Sequence, residues 1–133
     1  MPPFLPEREV KKEMSMLNEL KALGSDVDGA LENLNGKQSL YERLIFKFLK
    51  MMREKDVPLD FDETDYSEIT DRVHMIKGGA GNLGITPIYE GYNEALRLLR
   101  AGDPVQAKLV LRQLTSFKQA VLDCIARYAP SFP

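Results

Sequence analysis

Apolar residues recur along this chain at alternating spacings of three and four, and no segment competes with a strand period. The pattern predicts amphipathic helices throughout. A first helix spans residues 7–23: Pro6 suits its first turn, Val10, Met14, Leu17 and Leu20 form a narrow seam, and Gly24 stops it. Its other side carries Glu7, Arg8, Lys11, Lys12, Glu19 and Lys21 and reads as a solvated face. Ser25 or Asp26 caps a short second helix that turns Val27, Leu31 and Leu34 inward. Asn35 with Gln38 three positions on gives a capping box for a third helix, which runs to about Glu54. Leu40, Leu44, Phe48 and Met51/Met52 form its core stripe, broadened by Tyr41, Ile45 and Leu49.

Residues 56–63 break the helical period. Pro58 and the surrounding acids read as a solvated acidic connector, without the spacing of a calcium-binding EF-hand. Asp65, with Glu68 three positions on, caps a fourth helix whose stripe is Tyr66, Ile69, Val73, Ile76, Ala80 and Leu83. That helix ends near Gly81–Gly84. Thr86 as N-cap and Pro87 at the first helical position open a fifth, with Ile88, Tyr92, Ala95, Leu96 and Leu99 inward and Gly102 at its end. Asp103, Pro104 and Gln106 start the last and longest helix. Val105, Leu109, Leu114, Phe117, Val121, Cys124/Ile125 and Tyr128 form its apolar face, and Pro130 and Pro133 mark its end. Long helices on short connectors predict an all-α, up-down-up-down antiparallel four-helix bundle with additional N-terminal helices over one end or side. The expected division is an N-terminal helical extension over residues 1–24, the bundle over 25–129 and a tail over 130–133.

Length and composition narrow the chemistry. The 133 residues fit one domain, 44% apolar and 29% charged, with a net charge of −2 and both signs mixed. No basic patch speaks for nucleic acid, and no apolar run is long enough to cross a membrane. Met1-Pro2-Pro3-Phe4-Leu5 lacks the basic start and apolar core of a secretory leader. A single cysteine, Cys124, excludes an internal disulfide, reads as a core filler, and fits a reducing cytoplasm. One histidine and one cysteine, fifty residues apart, give no metal-ligand spacing. No activated serine can be argued beside the histidine, and Gly78–Gly84 lacks the Gly-Lys-Ser/Thr ending of a phosphate loop.

What remains is the fourth helix. His74 lies roughly 130° from the middle of its apolar stripe and therefore faces water. Lys77 follows one turn on, and Gly78 and Gly81 lie on the same outward side as His74, one and two turns on. Gly78, Gly79 and Gly81 together cost about 2–3 kcal/mol of helix propensity. Either they end the helix or they clear a surface for another molecule. The restart at Thr86-Pro87 already supplies a turn at Gly84, so Gly78 is not needed for ending.

These residues resemble the histidine-containing phosphotransfer (HPt) domain family. Its motif, His-x-x-Lys-Gly and a later Gly, corresponds to His74, Lys77, Gly78 and Gly84, and Asn82-Leu83-Gly84 is similar to the family's ending of this segment. Asp65-Tyr66 looks like the Asp-aromatic pair that often opens the His-bearing helix. Arg100-Ala101-Gly102-Asp103 looks like the family's Arg-x-Gly-Asp turn. The similarity covers about residues 26–128. Val73, Met75 and the Gly78-Gly79 pair depart from the commoner pattern.

The resemblance implies a phosphoryl carrier of a two-component phosphorelay, not itself an enzyme. It carries a phosphoryl group on His74 between the aspartates of response-regulator receiver domains, which include those of hybrid sensor kinases. It implies Lys77 as the phosphate-stabilising cation and Gly78 as the partner-docking clearing; by their positions on the same face, Gly81 extends that clearing, and Met75 beside His74 and Asp71 one turn before it complete the expected partner-docking residues. It implies no cofactor of its own, the Mg²⁺ belonging to the receiver, and a monomer by default. The alternative is a noncatalytic HPt-like module that binds a receiver or partner helix without accepting phosphate. A sensor-kinase phosphoacceptor domain fits less well, because Met75 follows the histidine where an acid is usual.

Overall fold

The computed structural model describes residues 16–129, and these are all helical apart from turns and connectors. Helix α1 occupies residues 16–22, α2 Val27–Asn33, α3 Gln38–Lys55, α4 Ser67–Asn82, α5 Thr86–Arg100 and α6 Pro104–Arg127. The expected roles of Pro6, Val10, Met14, Pro130 and Pro133 fall outside the described residues. Helix α4 packs on α5, α5 on α6, α6 on α3 and α3 on α4, while α2 lies against α3. Buried side chains from all six helices form one core. Met16 and Leu20 of α1 join it, and Glu19 binds Arg127 and the Tyr128 hydroxyl, fastening α1 to the far end of α6. No described helix is long and apolar enough to cross a membrane.

The expected helix ends hold. Gly24, Gly84 and Gly102 all take positive φ. At Gly84 (φ 69°) the Ile85 N–H reaches back to the Ala80 carbonyl and the Gly84 N–H to that of Gly81, a turn that satisfies the last carbonyls of α4. A side chain at residue 84 would also strike the Asp26 carbonyl, 2.3 Å from where its Cβ would stand. Of the two cap residues offered for α2, Asp26 serves, accepting from the Gly29 N–H. Asp103 caps α6 the same way, accepting from Gln106.

Three other starts differ. Asn35 adopts φ 57° and closes α2; Lys37 is the N-cap of α3, and Gln38 donates to Glu42. At α4 the first helical carbonyl is that of Tyr66, accepting from Thr70, so Asp65 lies one residue too early to cap. At α5 the buried Ile85 is the N-cap, because its carbonyl accepts from Tyr89; Thr86 lies inside the helix with its hydroxyl on the Gly84 carbonyl.

Two core stripes are also rephased. In α3 the central line is Tyr41, Ile45, Phe48, Leu49 and Met52, while Leu40, Leu44 and Met51 are only half-buried. Tyr41 sets this phase, because its hydroxyl donates to the Leu83 carbonyl at 2.9 Å across the core. In α6 the inward residues are Ala107, Leu111, Lys118, Val121, Cys124 and Ile125, while Val105 and Leu109 stand 52% and 39% exposed. Leu114 occupies the space above Gly91 of α5, where a Cβ would lie 2.6 Å from its Cδ2. A regular helix in phase with Leu114 turns Leu111 and Ala107 in and Val105 and Leu109 out.

The acidic connector is packed as well. Val57 and Phe61 are buried, and Lys108 of α6 donates to the Phe61 carbonyl and pairs with Glu63 at 2.8 Å. Asp56 is tied down by Lys118 at 2.6 Å, by the Tyr92 hydroxyl at 2.7 Å and by the Val57 N–H.

Candidate functional site

Ile69, Val73, Ile76 and Ala80 turn α4 toward the core and hold its opposite face in solvent. His74 lies on that face. The imidazole is exposed and makes no hydrogen bond or ion pair with the described residues. Asp71, one turn earlier, is exposed and likewise unpaired among them. Its neighbour Arg72 is the one engaged, with Glu68 and the Asp56 carbonyl. Met75 stands beside His74 at 42% exposure.

The glycines that follow separate into different roles. Gly78 is inside α4, one turn beyond His74, and a Cβ built there meets nothing within 4 Å. Neither packing nor backbone conformation demands glycine at that position. Gly79 turns toward α3, where a Cβ would sit in ordinary contact with Phe48 and Met51. Gly81 faces the Tyr89 ring of α5, with Cδ1 3.0 Å from a Cβ at that position. The space at Gly81 is thus filled by an aromatic ring, while that at Gly78 is open.

Lys77 leans to the same α5 side. Its ammonium lies 6.0 Å from the centre of the Tyr89 ring and forms no ion pair among the described residues. Tyr89 thus joins the neighbourhood of Lys77 and Gly81, which the sequence pattern does not reveal. Position 89 is a half-buried aromatic just off the α5 stripe, and only the α4–α5 packing brings its ring against Gly81. A groove of about 530 Å³ opens beside it, lined by Gly78, Gly81, Asn82, Tyr89, Glu90 and Asp26.

The face presents one nucleophile-capable ring, one unpaired ammonium within a turn of it, and bare backbone between them and the groove. A neutral imidazole offers a lone pair for attack on an electrophilic centre brought by another molecule. The ammonium can balance negative charge on whatever is attached there.

The other ionisable cluster lies elsewhere. Lys118, Asp56 and Tyr92 meet between α3, α5 and α6, with the Lys118 ammonium 3.1 Å from the Tyr92 hydroxyl. Burial, and then the adjoining Asp56 carboxylate, push the Tyr92 hydroxyl far above the ordinary tyrosine range. Burial alone raises Tyr41 in the same direction. Burial, followed by the nearby Glu19, pushes the Cys124 thiol up to about 11, so it is protonated at neutral pH and a poor nucleophile. Comparison of the chain with protein-family models, with curated proteins and with solved structures finds no match.

Proposed function

We propose that the chain is a histidine phosphotransfer domain. It takes a phosphoryl group from a receiver-domain aspartate onto His74 and passes it to a second receiver. The observation that carries this reading is the pairing of His74 with Gly78. An exposed histidine with no hydrogen bond or ion pair among the described residues stands one turn from a mid-helix glycine at which an added Cβ would meet no neighbouring group within 4 Å. A glycine that costs helix propensity and serves neither turn nor packing is accounted for by the close approach of a partner. The resemblance of His74, Lys77, Gly78 and Gly84 to the HPt motif names that partner as a receiver domain.

In the proposed reaction an imidazole nitrogen attacks the phosphorus of the receiver's aspartyl phosphate. The N–P bond forms, the P–O bond to the carboxylate breaks, and the aspartate leaves as carboxylate. The reverse reaction on a second receiver regenerates His74. Such transfers depend on in-line positioning and on neutralising the phosphoryl oxygens. Lys77 supplies a cation from this chain. Gly78 admits the receiver's rim, Met75 widens the apolar contact beside His74, and Asp71 borders the site. The Mg²⁺ belongs to the receiver, so this chain needs no cofactor of its own.

The closed circuit of α3, α4, α5 and α6, with short connectors at residues 83–85 and 101–103, supports the antiparallel up-down-up-down four-helix bundle of that family. In this reading the domain works as a monomer in the cytoplasm, and the helices before α3 lie alongside the bundle. The test is incubation with phosphorylated receiver domains. Wild type should acquire an acid-labile, base-stable label and His74→Gln none. Equal labelling of both, or no label from any receiver, overturns the reading.

A further inference from the structure

The geometry points to Tyr89 as a positioning residue for Lys77, which holds the ammonium away from His74 until a phosphoryl group competes for it. The purpose of this contact rests on the carrier reading of His74; the contact itself does not.

Two observations converge on Tyr89. Its ring lies against the backbone of α4 at Gly81, so close that a Cβ there would stand 3.0 and 3.2 Å from two ring carbons. The Lys77 ammonium lies 6.0 Å from the centre of the same ring. Gly81 is four residues beyond Lys77, hence one turn further from His74 on the same side of α4. A ring seated at Gly81 therefore draws the lysine toward the C-terminal end of α4. The π-face attracts the cation, which forms no ion pair with a carboxylate among the described residues.

Occupation of His74 changes that balance. A phosphoryl group places two negative charges within one turn of Lys77, and charge-assisted hydrogen bonds are stronger than an exposed cation–π contact. Lys77 then leaves the ring. Tyr89 so lowers the net gain from the Lys77–phosphoryl contact and sets how tightly His74 retains its cargo. Releasing Lys77 from the ring shifts the phosphoryl equilibrium toward His74 by about two- to fivefold, the exposed cation–π range expressed as an equilibrium constant.

Nuclear magnetic resonance of the full chain tests the contact without any receiver. Wild type and Tyr89→Phe should show Overhauser contacts from the Lys77 ε-methylene protons to the ring at position 89, with upfield shifts; Tyr89→Leu should lose the shifts. Phosphoramidate then phosphorylates the protein chemically: an imidazole nitrogen attacks phosphorus, the N–P bond to His74 forms, and ammonia leaves. On this treatment the Lys77 signals of wild type should move to solvent-exposed positions. A wild type without the ring contact, or one whose contact survives phosphorylation of His74, overturns the proposal.

In the receiver exchange, Tyr89→Leu should favour phospho-His74 by the stated factor and Tyr89→Phe should match wild type. Tyr89→Leu should have no effect in a Lys77→Ala background. An equal effect in that background would mean that Tyr89 acts through packing, and would overturn the assignment. Failure of wild type to exchange with any receiver would end the carrier reading instead; the phosphoramidate arm would still uphold or overturn Tyr89.

Discussion

Lys118 lies on the buried face of α6, and replacing it with methionine isolates what a charge contributes there. Methionine retains most of the apolar stem and removes the ammonium. In the native protein that ammonium donates to Asp56 at 2.6 Å and to the Tyr92 hydroxyl at 3.1 Å. Its side chain is 11% exposed and that of Asp56 23%. Breaking a fully buried pair from one side costs about 3–5 kcal/mol, whereas an exposed pair contributes about 0–1 kcal/mol. Asp56 keeps two donors after the change, the Tyr92 hydroxyl and the Val57 N–H, and part of its surface meets water. The expected loss is therefore about 2–3 kcal/mol.

Urea unfolding followed by circular dichroism reads this as a lower midpoint with an unchanged slope. The partner substitution Asp56→Asn sharpens the test. Asparagine keeps an oxygen for Tyr92 and Val57 but carries no charge to strand. In that background Lys118→Met should cost only about 1 kcal/mol, the ordinary worth of a lost hydrogen bond. Equal costs in the two backgrounds, or a loss below 1 kcal/mol in wild type, would refute the claim that this pair anchors the α3–α4 connector electrostatically.

Three further outcomes are expected. Gly84→Ala should cost at least 2 kcal/mol in urea, because φ of 69° meets a Cβ and the Asp26 carbonyl lies 2.3 Å away; Gly36→Ala, at φ 74° with nothing within 4 Å, should cost only about 1 kcal/mol. Stability should fall as pH rises above about 9: Cys124 keeps its proton to about 11 when folded against 9.0 for the free thiol, and Tyr41 and Tyr92 are raised from 10.0, so the unfolded chain loses protons first. Each group adds a slope of up to about 1.4 kcal/mol per pH unit, measurable as urea midpoints across the alkaline range and flattened in Tyr41→Phe. Gly78→Gln should raise stability by up to about 1 kcal/mol through helix propensity while sharply reducing transfer from a receiver; undiminished transfer would remove the glycine from the docking surface.

How much of this was legible in the chain depends on the range of the interaction. The apolar stripe of α4 is local and regular, so the outward placement of His74 and the open position at Gly78 follow from spacing alone. The helix stops at Gly24, Gly84 and Gly102 are equally local, because each needs a positive φ. Lys118 was hidden because a lysine on the core line breaks the apolar pattern, and its justification, Asp56, lies 62 residues away. The same distant pairing ties down Asp56 at the start of the acidic connector, whose other acids, Asp60, Asp62 and Glu63, are exposed as expected while Val57 and Phe61 pack inward. Val105 and Leu109 misled the reading of α6 because apolarity alone cannot distinguish a core line from an exposed one without the Gly91–Leu114 contact. Tyr89 belongs with Lys77 through the α4–α5 packing, which no local spacing encodes.

The claim of a carrier requires that His74 give up its phosphoryl group as well as accept it. Wild-type protein labelled on His74, freed of donor and mixed with a second unphosphorylated receiver domain, should lose label from His74 as an equal amount appears on that receiver's aspartate. Label that remains on His74 with every receiver offered, or that is released only as inorganic phosphate, would contradict the account.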